Sequence, residues 1–214
     1  MEMKLNQLKA AAKDKKAIFL DLDNTLYKYN PCHLHALKET HYVYCRRVQK
    51  ISLAEFLKKY QRARSETSRR LQGQAASHSR LHYFQQMLAN EPSVSTALDF
   101  EEIYWCAFMK KMKREAWVLP FISFCKKTKK IVGVVTNLTT AIQMRKLRVL
   151  KLDQMINFLV TSEEAGCEKP NLRIFRLALQ KAQVRPAEAL LVGDDRRTDQ
   201  GHGLFLSFFD INSE

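Results

Sequence analysis

Short apolar runs alternate with helical segments in the second half of the chain, and this alternation constrains the fold more than any other feature. Each run is bounded by polar or turn residues, as in strands that are buried on both faces. The segments at 139–150 and 171–183 place apolar residues at helical spacing. The predicted strands are Ala17–Leu20, Ile131–Val135, Asn157–Val160 and Ala189–Val192. Strands that alternate with helices predict a parallel sheet flanked by helices, whose functional groups gather at the carboxyl ends of the strands.

The stretch 27–117 interrupts this alternation, because it contains several helical patterns and no convincing strand. Ser52 and Glu55 have the spacing of a capping box, in which two side chains satisfy free backbone N–H groups at a helix start. Asp99 is the predicted cap of a later helix. Three helices are predicted here, from Ser52 to about Leu71, over His82–Asn90 and over Phe100–Arg114. The stretch is therefore predicted to be an all-helical insert.

The chain carries 36 lysine and arginine residues against 22 acidic residues, a formal net charge of +14 over 214 residues. This charge favours anionic partners such as phosphates, nucleic acid or membrane headgroups without choosing among them. The five cysteines are odd in number and form no Cys-x-x-Cys pair, so no disulfide framework is indicated. No apolar run approaches the roughly 18 residues of a membrane span. We therefore expect a soluble protein of the reducing cytoplasm that has no membrane partner.

Acidic clusters follow directly on two of the predicted strands. Asp21 and Asp23 come after the first strand, and Asp194, Asp195 and Asp199 come after the last one. Taken singly, each cluster is as compatible with a loop or a solvated turn as with a site. Together they would meet at one edge of a parallel sheet, where like charges repel unless a cation neutralises them. Oxygen-only ligands suit a hard cation, and Mg²⁺ is the first expectation.

Two further strand ends carry groups of the complementary kind. Thr136 and Asn137 follow the strand at 131–135 and offer a hydroxyl and a backbone N–H near a helix start, which are groups that hold phosphate oxygens. Lys169 precedes the next predicted helix and places an ammonium group at the same edge. Each of these dipeptides is common by itself and is usually structural.

In order and spacing, these four elements resemble the motifs of the haloacid dehalogenase-like hydrolases, a superfamily of mostly Mg²⁺-dependent phosphatases. The resemblance covers Ala17–Leu26 and nearly all of 131–199. It implies an α/β fold with a Rossmann-like parallel-sheet core formed by residues 1–26 and 118–214. The insert, residues 27–117, stands where the superfamily places its helical cap.

The resemblance also implies a role for each residue in hydrolysis of a small phosphorylated substrate. Asp21 would be the nucleophile, and Asp23 would act first as general acid and then as general base. Mg²⁺ would be held by the Asp21 and Asp194 carboxylates and by the Asp23 backbone carbonyl. The remaining groups would bind the phosphoryl oxygens or support the site: Thr136, Asn137 and Lys169 in the first role, Thr25 and Asp199 in the second.

Asp23 narrows the reaction within the superfamily. Expulsion of chloride needs no proton, whereas an alkoxide that leaves a phosphate ester needs a general acid. Asn24 stands where the superfamily's hexose phosphate mutases usually have glycine, which favours a phosphatase. The motifs look most like the branch that contains sugar phosphatases and pyrimidine nucleotidases. The expected substrate is therefore a sugar phosphate, a nucleotide or a phospho-acid.

Several alternatives stay open in the insert. His41 and Cys45 share a helical face, but soft-ligand metal sites usually show tighter pairs, so polar positions on a helix are favoured over a zinc site. Four side chains just after the first acidic cluster are candidates for contact with the leaving group: Tyr27, Tyr29, His33 and His35.

The middle of the insert is strongly basic. Nine cations contribute to this charge: Arg46, Arg47, Lys50, Lys58, Lys59, Arg62, Arg64, Arg69 and Arg70. They form either a solvated helix face or a surface that attracts anions. The alternative function is accordingly a catalytically weak protein of this fold that binds nucleic acid or another polyanion through the insert, although no nucleic-acid-binding motif supports it.

The segment after Asp199 departs from the superfamily pattern, in which a helix and then another strand follow. Here Gln200–Phe209 is short and interrupted by glycine. We expect the helix to be curtailed, and Leu204–Phe209 remains compatible with a final strand.

Overall fold

A computed structural model describes residues 2–90, 93, 95–201, 204 and 206–212. In chain order the helices and strands are α1 (Glu2–Ala11), β1 (Ala17–Leu20), α2 (Tyr29–Arg47), α3 (Leu53–Arg70), α4 (Arg80–Met87), α5 (Thr96–Lys111), α6 (Val118–Lys127), β2 (Ile131–Thr136), α7 (Thr140–Val149), β3 (Phe158–Thr161), α8 (Ser162–Ala165), α9 (Leu172–Ala182), β4 (Ala189–Gly193), α10 (Arg196–Asp199) and β5 (Ser207–Asp210). Two short 3₁₀ helices lie at Ala75–His78 and Pro186–Glu188.

The chain divides into two compact units. One consists of Met1–Lys28 and Lys113–Glu214 and contains the strands, and we call it the α/β unit. The other, Tyr29–Met112, contains α2 to α5, and we call it the helical unit. The boundaries at 27 and 117 that the sequence suggested stay a prediction.

The α/β unit is built on a parallel sheet of five strands in the order β3-β2-β1-β4-β5. All four predicted strands are present, each within one residue of its predicted bounds. The strand order reverses beside β1, because β2 follows on one side of β1 and β4 on the other. In open parallel sheets, ligands bind outside the carboxyl ends of the strands at such a switch point. The fold therefore places a site where β1 and β4 end.

Apolar packing on the sheet explains why these segments become strands and helices. Phe19 of β1, Val160 of β3 and Leu191 of β4 are buried in one cluster with Ile174 and other apolar residues of α9. Gly133 of β2 faces the ring of its cross-strand partner Phe158, and a Cβ there would lie 2.3 Å from that ring. A larger residue at this position would push the ring out of the sheet face.

The helical unit confirms the predicted helix over 53–70. Ser52 Oγ accepts a hydrogen bond from the Glu55 backbone N–H, and the Glu55 carboxylate accepts one from the Ser52 backbone N–H, which completes the capping box. The two later helices begin earlier than predicted, at Arg80 and at Thr96. Asp99 as a helix cap is wrong, because α5 already includes Asp99 in its first turn and begins after Ser95.

A buried arginine lies among aromatic rings inside the helical unit. The Arg80 guanidinium is 5.1 to 5.9 Å from the ring centres of Tyr29, Tyr83, Tyr104 and Trp105. Such cation–π contacts partly replace the hydration that burial removes from the charge. Tyr83, Tyr104 and Trp105 are themselves buried, so they form part of the packing core of this unit.

The segment after Asp199 ends in a strand, as the sequence of Leu204–Phe209 allowed but did not decide. Ser207–Asp210 forms β5 and pairs in parallel with β4, while α10 spans only four residues. Three residues of this segment, His202, Gly203 and Phe205, lie outside the described residues. In the part of the chain that the structure describes, no helix is both long enough and apolar enough to cross a membrane.

Candidate active site

The carboxyl ends of β1 and β4 bring the two predicted acidic clusters together. The Asp21 backbone N–H donates to the Val192 carbonyl at 2.9 Å, which fixes the first cluster beside the second. Carboxylate oxygens of Asp21, Asp194 and Asp199 all lie within 4.8 Å of one another. Among the described residues, this is the one group of three or more Asp, Glu, His or Cys side chains that meets so closely.

Lys169 bridges two of these carboxylates. Its ammonium Nζ donates to Asp21 Oδ1 at 2.5 Å and to Asp199 Oδ1 at 2.6 Å. The three side chains are all at most 8% exposed, so solvent screens these contacts little. The predicted convergence of Lys169 on the acidic edge is thus present in the structure.

The local charge is unbalanced, because three carboxylates face one ammonium. Burial, and then the neighbouring Asp199 carboxylate, raise the pKa of Asp21 to about 7, although Lys169 opposes this rise. Burial and Asp199 also raise the pKa of Asp194. Burial alone would lower the pKa of Lys169, but its two carboxylate partners outweigh burial and hold that pKa above its ordinary value. The site therefore has excess negative charge that a further cation would relieve.

The turn after β1 sets the direction of the first cluster. Asn24 has a φ of 66°, in the left-handed region that asparagine tolerates better than most residues. Thr25 then lies under the cluster, where its buried hydroxyl donates to Asp21 Oδ2 at 3.0 Å and lies 3.4 Å from Asp194 Oδ1. Thr25 thus lies beside both carboxylates, and its supporting role in the site stays a prediction.

Asp195, to which the sequence assigned no role, caps the short helix α10. Its carboxylate accepts from the backbone N–H of Arg197 at 3.0 Å and from the Arg197 guanidinium. That guanidinium lowers the pKa of Asp195. Asp195 therefore holds the turn that carries Asp199, and its carboxylate is not part of the group formed by Asp21, Asp194 and Asp199.

Thr136 and Asn137 follow β2, next to β1 in the sheet. The Thr136 hydroxyl and the Asn137 carbonyl both accept hydrogen bonds from the amide Nε2 of Gln143, each at 2.7 Å. The Asn137 side-chain oxygen accepts from the backbone N–H of Lys169 at 2.8 Å. These contacts tie the predicted phosphate-binding residues to α7 and to the lysine segment.

Asp23 lies in a separate group of contacts. The Lys146 Nζ donates to both carboxylate oxygens of Asp23, at 2.8 and 2.9 Å, and the Tyr27 hydroxyl donates to Oδ1. The Lys146 side chain is fully buried, whereas 30% of the Asp23 side chain is exposed. Hydrogen bonds from Lys146 and Tyr27 thus hold the Asp23 carboxylate, and part of its side chain is accessible to solvent.

Lys146 and Gln143 were not among the predicted site residues. Both lie on α7, and both are fully buried. A signal existed, because they occupy the same helical face as the apolar residues Ile142 and Leu147. A polar residue on a predicted core face calls for a partner. Tyr27, a candidate for contact with the leaving group, is also buried, and its hydroxyl is directed to Asp23.

The other candidates lie in the helical unit. The Tyr29 hydroxyl accepts a hydrogen bond from Arg80, and His33 Nδ1 lies 2.6 Å from the Tyr104 hydroxyl. The His41 ring bonds the Ile51 carbonyl and the Cys45 thiol, and the described residues place no further metal ligand with this pair. All nine basic residues noted in the sequence are exposed.

Comparison with known proteins defines the class to which this site belongs. The model of the haloacid dehalogenase-like hydrolase family matches residues 15–199. The chain belongs to this family, as the motifs predicted.

Two curated relatives are phosphatases. A ribulose-1,5-bisphosphate 5-phosphatase of Halopiger xanaduensis is 35% identical over 212 residues, which cover 92% of this chain and 86% of that protein. A glyceraldehyde 3-phosphate phosphatase of Methanothermobacter thermautotrophicus is 38% identical over 68 residues, which cover 32% of this chain and 30% of that protein. The relatives support the prediction of a hydrolase that acts on phosphomonoesters.

Solved structures agree on the fold. A HAD phosphatase from Thermococcus onnurineus has a TM-score of 0.70 at 20% identity, over 90% of this chain and 84% of that one. The putative HAD-hydrolase YfnB from Bacillus subtilis has a TM-score of 0.66 at 17% identity, over 91% and 87%. The predicted α/β class with a Rossmann-like core is confirmed.

Proposed function

We propose that this protein is a Mg²⁺-dependent phosphatase that hydrolyses a small phosphomonoester through an aspartyl-phosphate intermediate. The observation that carries the proposal is the convergence of three carboxylates and one buried ammonium at the switch point of the sheet. This arrangement supplies a nucleophile, a cation site and a positive group for the phosphate within a few ångströms.

The side chains present fit a hard divalent cation. Asp21, Asp194 and Asp199 offer only oxygen donors, and Lys169 alone leaves two of their three charges uncompensated. We assign the Asp21 and Asp194 carboxylates as ligands, together with the Asp23 backbone carbonyl that the family resemblance implies. When bound, the cation would neutralise charge on the phosphoryl oxygens.

Asp21 is the proposed nucleophile. Hydrogen bonds from Lys169 and Thr25 hold its two oxygens, so the carboxylate reacts from a fixed orientation. One carboxylate oxygen forms a bond to phosphorus, and the ester bond between phosphorus and the leaving oxygen breaks. The products of this step are an acyl phosphate on Asp21 and an alkoxide that needs a proton.

Asp23 is the proposed proton donor and acceptor. It gives its proton to the leaving oxygen in the first step. In the second step it takes a proton from the water that attacks phosphorus, which releases inorganic phosphate and regenerates the Asp21 carboxylate. Its side chain is 30% exposed, so it can exchange protons with water, and two hydrogen bonds from Lys146 hold it in place.

Thr136, Asn137 and Lys169 are the proposed phosphate-binding groups. Gln143 donates to the Thr136 oxygen, and the Thr136 hydroxyl donates to the Asn137 carbonyl at a long 3.3 Å, a weak contact that it would exchange for a phosphoryl oxygen. The Lys169 ammonium and the Asn137 backbone N–H would stabilise the charge that spreads over the same oxygens in the transition state.

For the substrate we propose a sugar phosphate ahead of a nucleotide or a phospho-acid. The support is the Halopiger xanaduensis phosphatase, whose printed name specifies a phosphorylated sugar and which aligns with nearly the whole chain. The five cysteines are all free thiols, which supports the reducing cytoplasm as the setting.

A hydrolysis assay with three arms tests the proposal. We expect release of phosphate from sugar phosphates and from an aryl phosphate with Mg²⁺, its loss with EDTA, and a loss of at least about 1,000-fold in Asp21→Asn. Asp153→Asn, an exposed carboxylate in the same unit, is the control and should keep full activity. Turnover that survives Asp21→Asn would reject the nucleophile.

The alternative function makes the opposite prediction. If the exposed basic residues of the helical unit bind a polyanion, binding to nucleic acid should weaken steeply with salt. Such binding without phosphate release from any substrate in the panel would favour the alternative.

A further inference from the structure

Helix α7 buries a lysine against the proposed general acid. The Lys146 side chain has no exposed surface, although Arg145 and Arg148 on the same helix lie in solvent. A buried ammonium group is costly unless a carboxylate compensates for its lost hydration. The compensating carboxylate is Asp23, which the proposed reaction uses for proton transfer.

The contacts fix the plane of the Asp23 carboxylate. Lys146 Nζ lies 2.8 Å from one oxygen and 2.9 Å from the other, and the Tyr27 hydroxyl donates to Oδ1. The Tyr27 ring is itself buried, with its centre 5.8 Å from the same Nζ. The Tyr27 backbone forms bridges with Asp23 and Arg114, so the hydroxyl is held in place from both ends of the residue.

We propose that Lys146, together with Tyr27, is a positioning residue that holds the Asp23 carboxylate in the orientation that proton transfer requires. The inference rests on the proposed function, because it assumes that Asp23 exchanges the proton. A general acid acts only within hydrogen-bond reach of the leaving oxygen, and misplacement by about 1 Å costs on the order of 100-fold in rate. Lys146 is not itself placed against the substrate; it acts through Asp23.

Lys146→Met tests this role with little change in shape. Methionine matches the apolar stem of lysine and suits the buried surroundings of Ile142 and Leu147, while both hydrogen bonds to Asp23 are lost. We expect kcat/KM on an alkyl phosphate, which reports the transfer of the phosphoryl group to Asp21, to fall by about 10- to 100-fold. With an aryl phosphate whose leaving group needs little help from a proton, the fall in kcat/KM should stay below about threefold. Arg145→Met, an exposed cation one position earlier on α7, is the matched control and should change neither rate.

A double-mutant cycle separates positioning from a purely structural contribution. In an Asp23→Asn background, Lys146→Met should cause no further loss on the alkyl substrate, because the group through which Lys146 acts is already gone. Losses in kcat/KM that multiply in the double variant, or equal losses in kcat/KM on alkyl and aryl substrates, would overturn the inference.

Tyr27→Phe provides a second variant that keeps Lys146 and the buried ring. It removes the hydroxyl donor to Asp23, and we expect the same leaving-group dependence with a smaller loss, about 3- to 10-fold on the alkyl substrate. Failure of the proposed function itself would look different. Asp21→Asn would then stay active, whereas failure of this inference leaves Asp21→Asn inactive and the Lys146→Met losses independent of the leaving group.

Discussion

At the scale of single residues, a glycine decides whether Asp199 can occupy its place. A Cβ on Gly193 would lie 2.2 Å from Asp199 Oδ2, and Asp199 is buried and bound to Lys169. Gly193→Ala should therefore displace the carboxylate, with a loss in kcat/KM of about 10- to 100-fold and in stability of about 1–3 kcal/mol. Phosphate release and urea unfolding measure the two effects.

Gly73→Ala is the matched control for that substitution. Gly73 has a φ of +80° but no atom within 4 Å of the added Cβ. Backbone strain should lower stability by about 1 kcal/mol without a change in turnover. If Gly193→Ala were as active as Gly73→Ala, the close fit around Asp199 would not matter for the reaction.

His33 gives the helical unit a pH-dependent stability. Burial, Arg80 and Arg64 lower its pKa from 6.5 to about 4. Between these values the unfolded chain binds a proton that the folded chain does not, so the free energy of unfolding should fall as the pH drops from about 6.5 to about 4. Urea unfolding at several pH values measures the slope, which His33→Gln should flatten. Parallel slopes for the two proteins would contradict this account.

The sequence predicted the functional residues that lie near the ends of strands. It missed Lys146 and Gln143, which lie on the face of a helix. Asp21 and Asp194 directly follow apolar runs, and Lys169 precedes the predicted helix that comes after β3, so a parallel sheet is enough to place them at one edge. Lys146 and Gln143 find their partners, Asp23 after β1 and Thr136 at the end of β2, only once α7 has packed in the fold, and helical spacing does not specify that packing.

At the scale of elements, local signals were most reliable where both partners are adjacent in sequence. The capping box at Ser52 and Glu55 forms as predicted, since its contacts lie within one turn of α3. The predicted start of α5 is wrong. Asp99 is a good cap residue by type, but the helix begins at Thr96, and burial of Ala97 stabilises the turn before Asp99. Tertiary packing outweighed the preference of a single side chain.

The capping box makes a measurable contribution to the helical unit. Ser52→Ala removes the acceptor for the Glu55 backbone N–H and should lower the free energy of unfolding by about 1 kcal/mol. Ser65→Ala, an exposed position within α3, should leave stability unchanged or slightly raised, because alanine is the better helix former. Urea unfolding of both variants tests the assignment, and equal effects would contradict it.

At the scale of the whole molecule, the alternation of strands and helices predicted the class of fold but not the order of the strands. The order β3-β2-β1-β4-β5 depends on which side of β1 each crossover packs, and no local pattern records that choice. The sequence did not decide whether β5 forms, because the segment that precedes it contains glycines and shows no clear strand pattern.

A cation bound at the acidic cluster should stabilise the folded protein. At about 100 times its dissociation constant, Mg²⁺ would add about 2.7 kcal/mol, which corresponds to a rise of roughly 5 to 10 °C in the unfolding midpoint. Thermal unfolding with and without Mg²⁺ measures the rise, which Asp194→Asn should abolish and Asp153→Asn should preserve. A midpoint that ignores Mg²⁺ would contradict the assigned ligands.

Transfer of the phosphoryl group to Asp21 is the central claim, and trapping the intermediate tests it most directly. Asp23→Asn should form the acyl phosphate from an aryl phosphate but hydrolyse it slowly, because the base for the second step is missing. After an acid quench, mass spectrometry should find one phosphoryl group on the peptide that contains Asp21. An unmodified Asp21 peptide from a variant that still turns over the aryl substrate would mean that water attacks phosphorus directly, and would contradict the account.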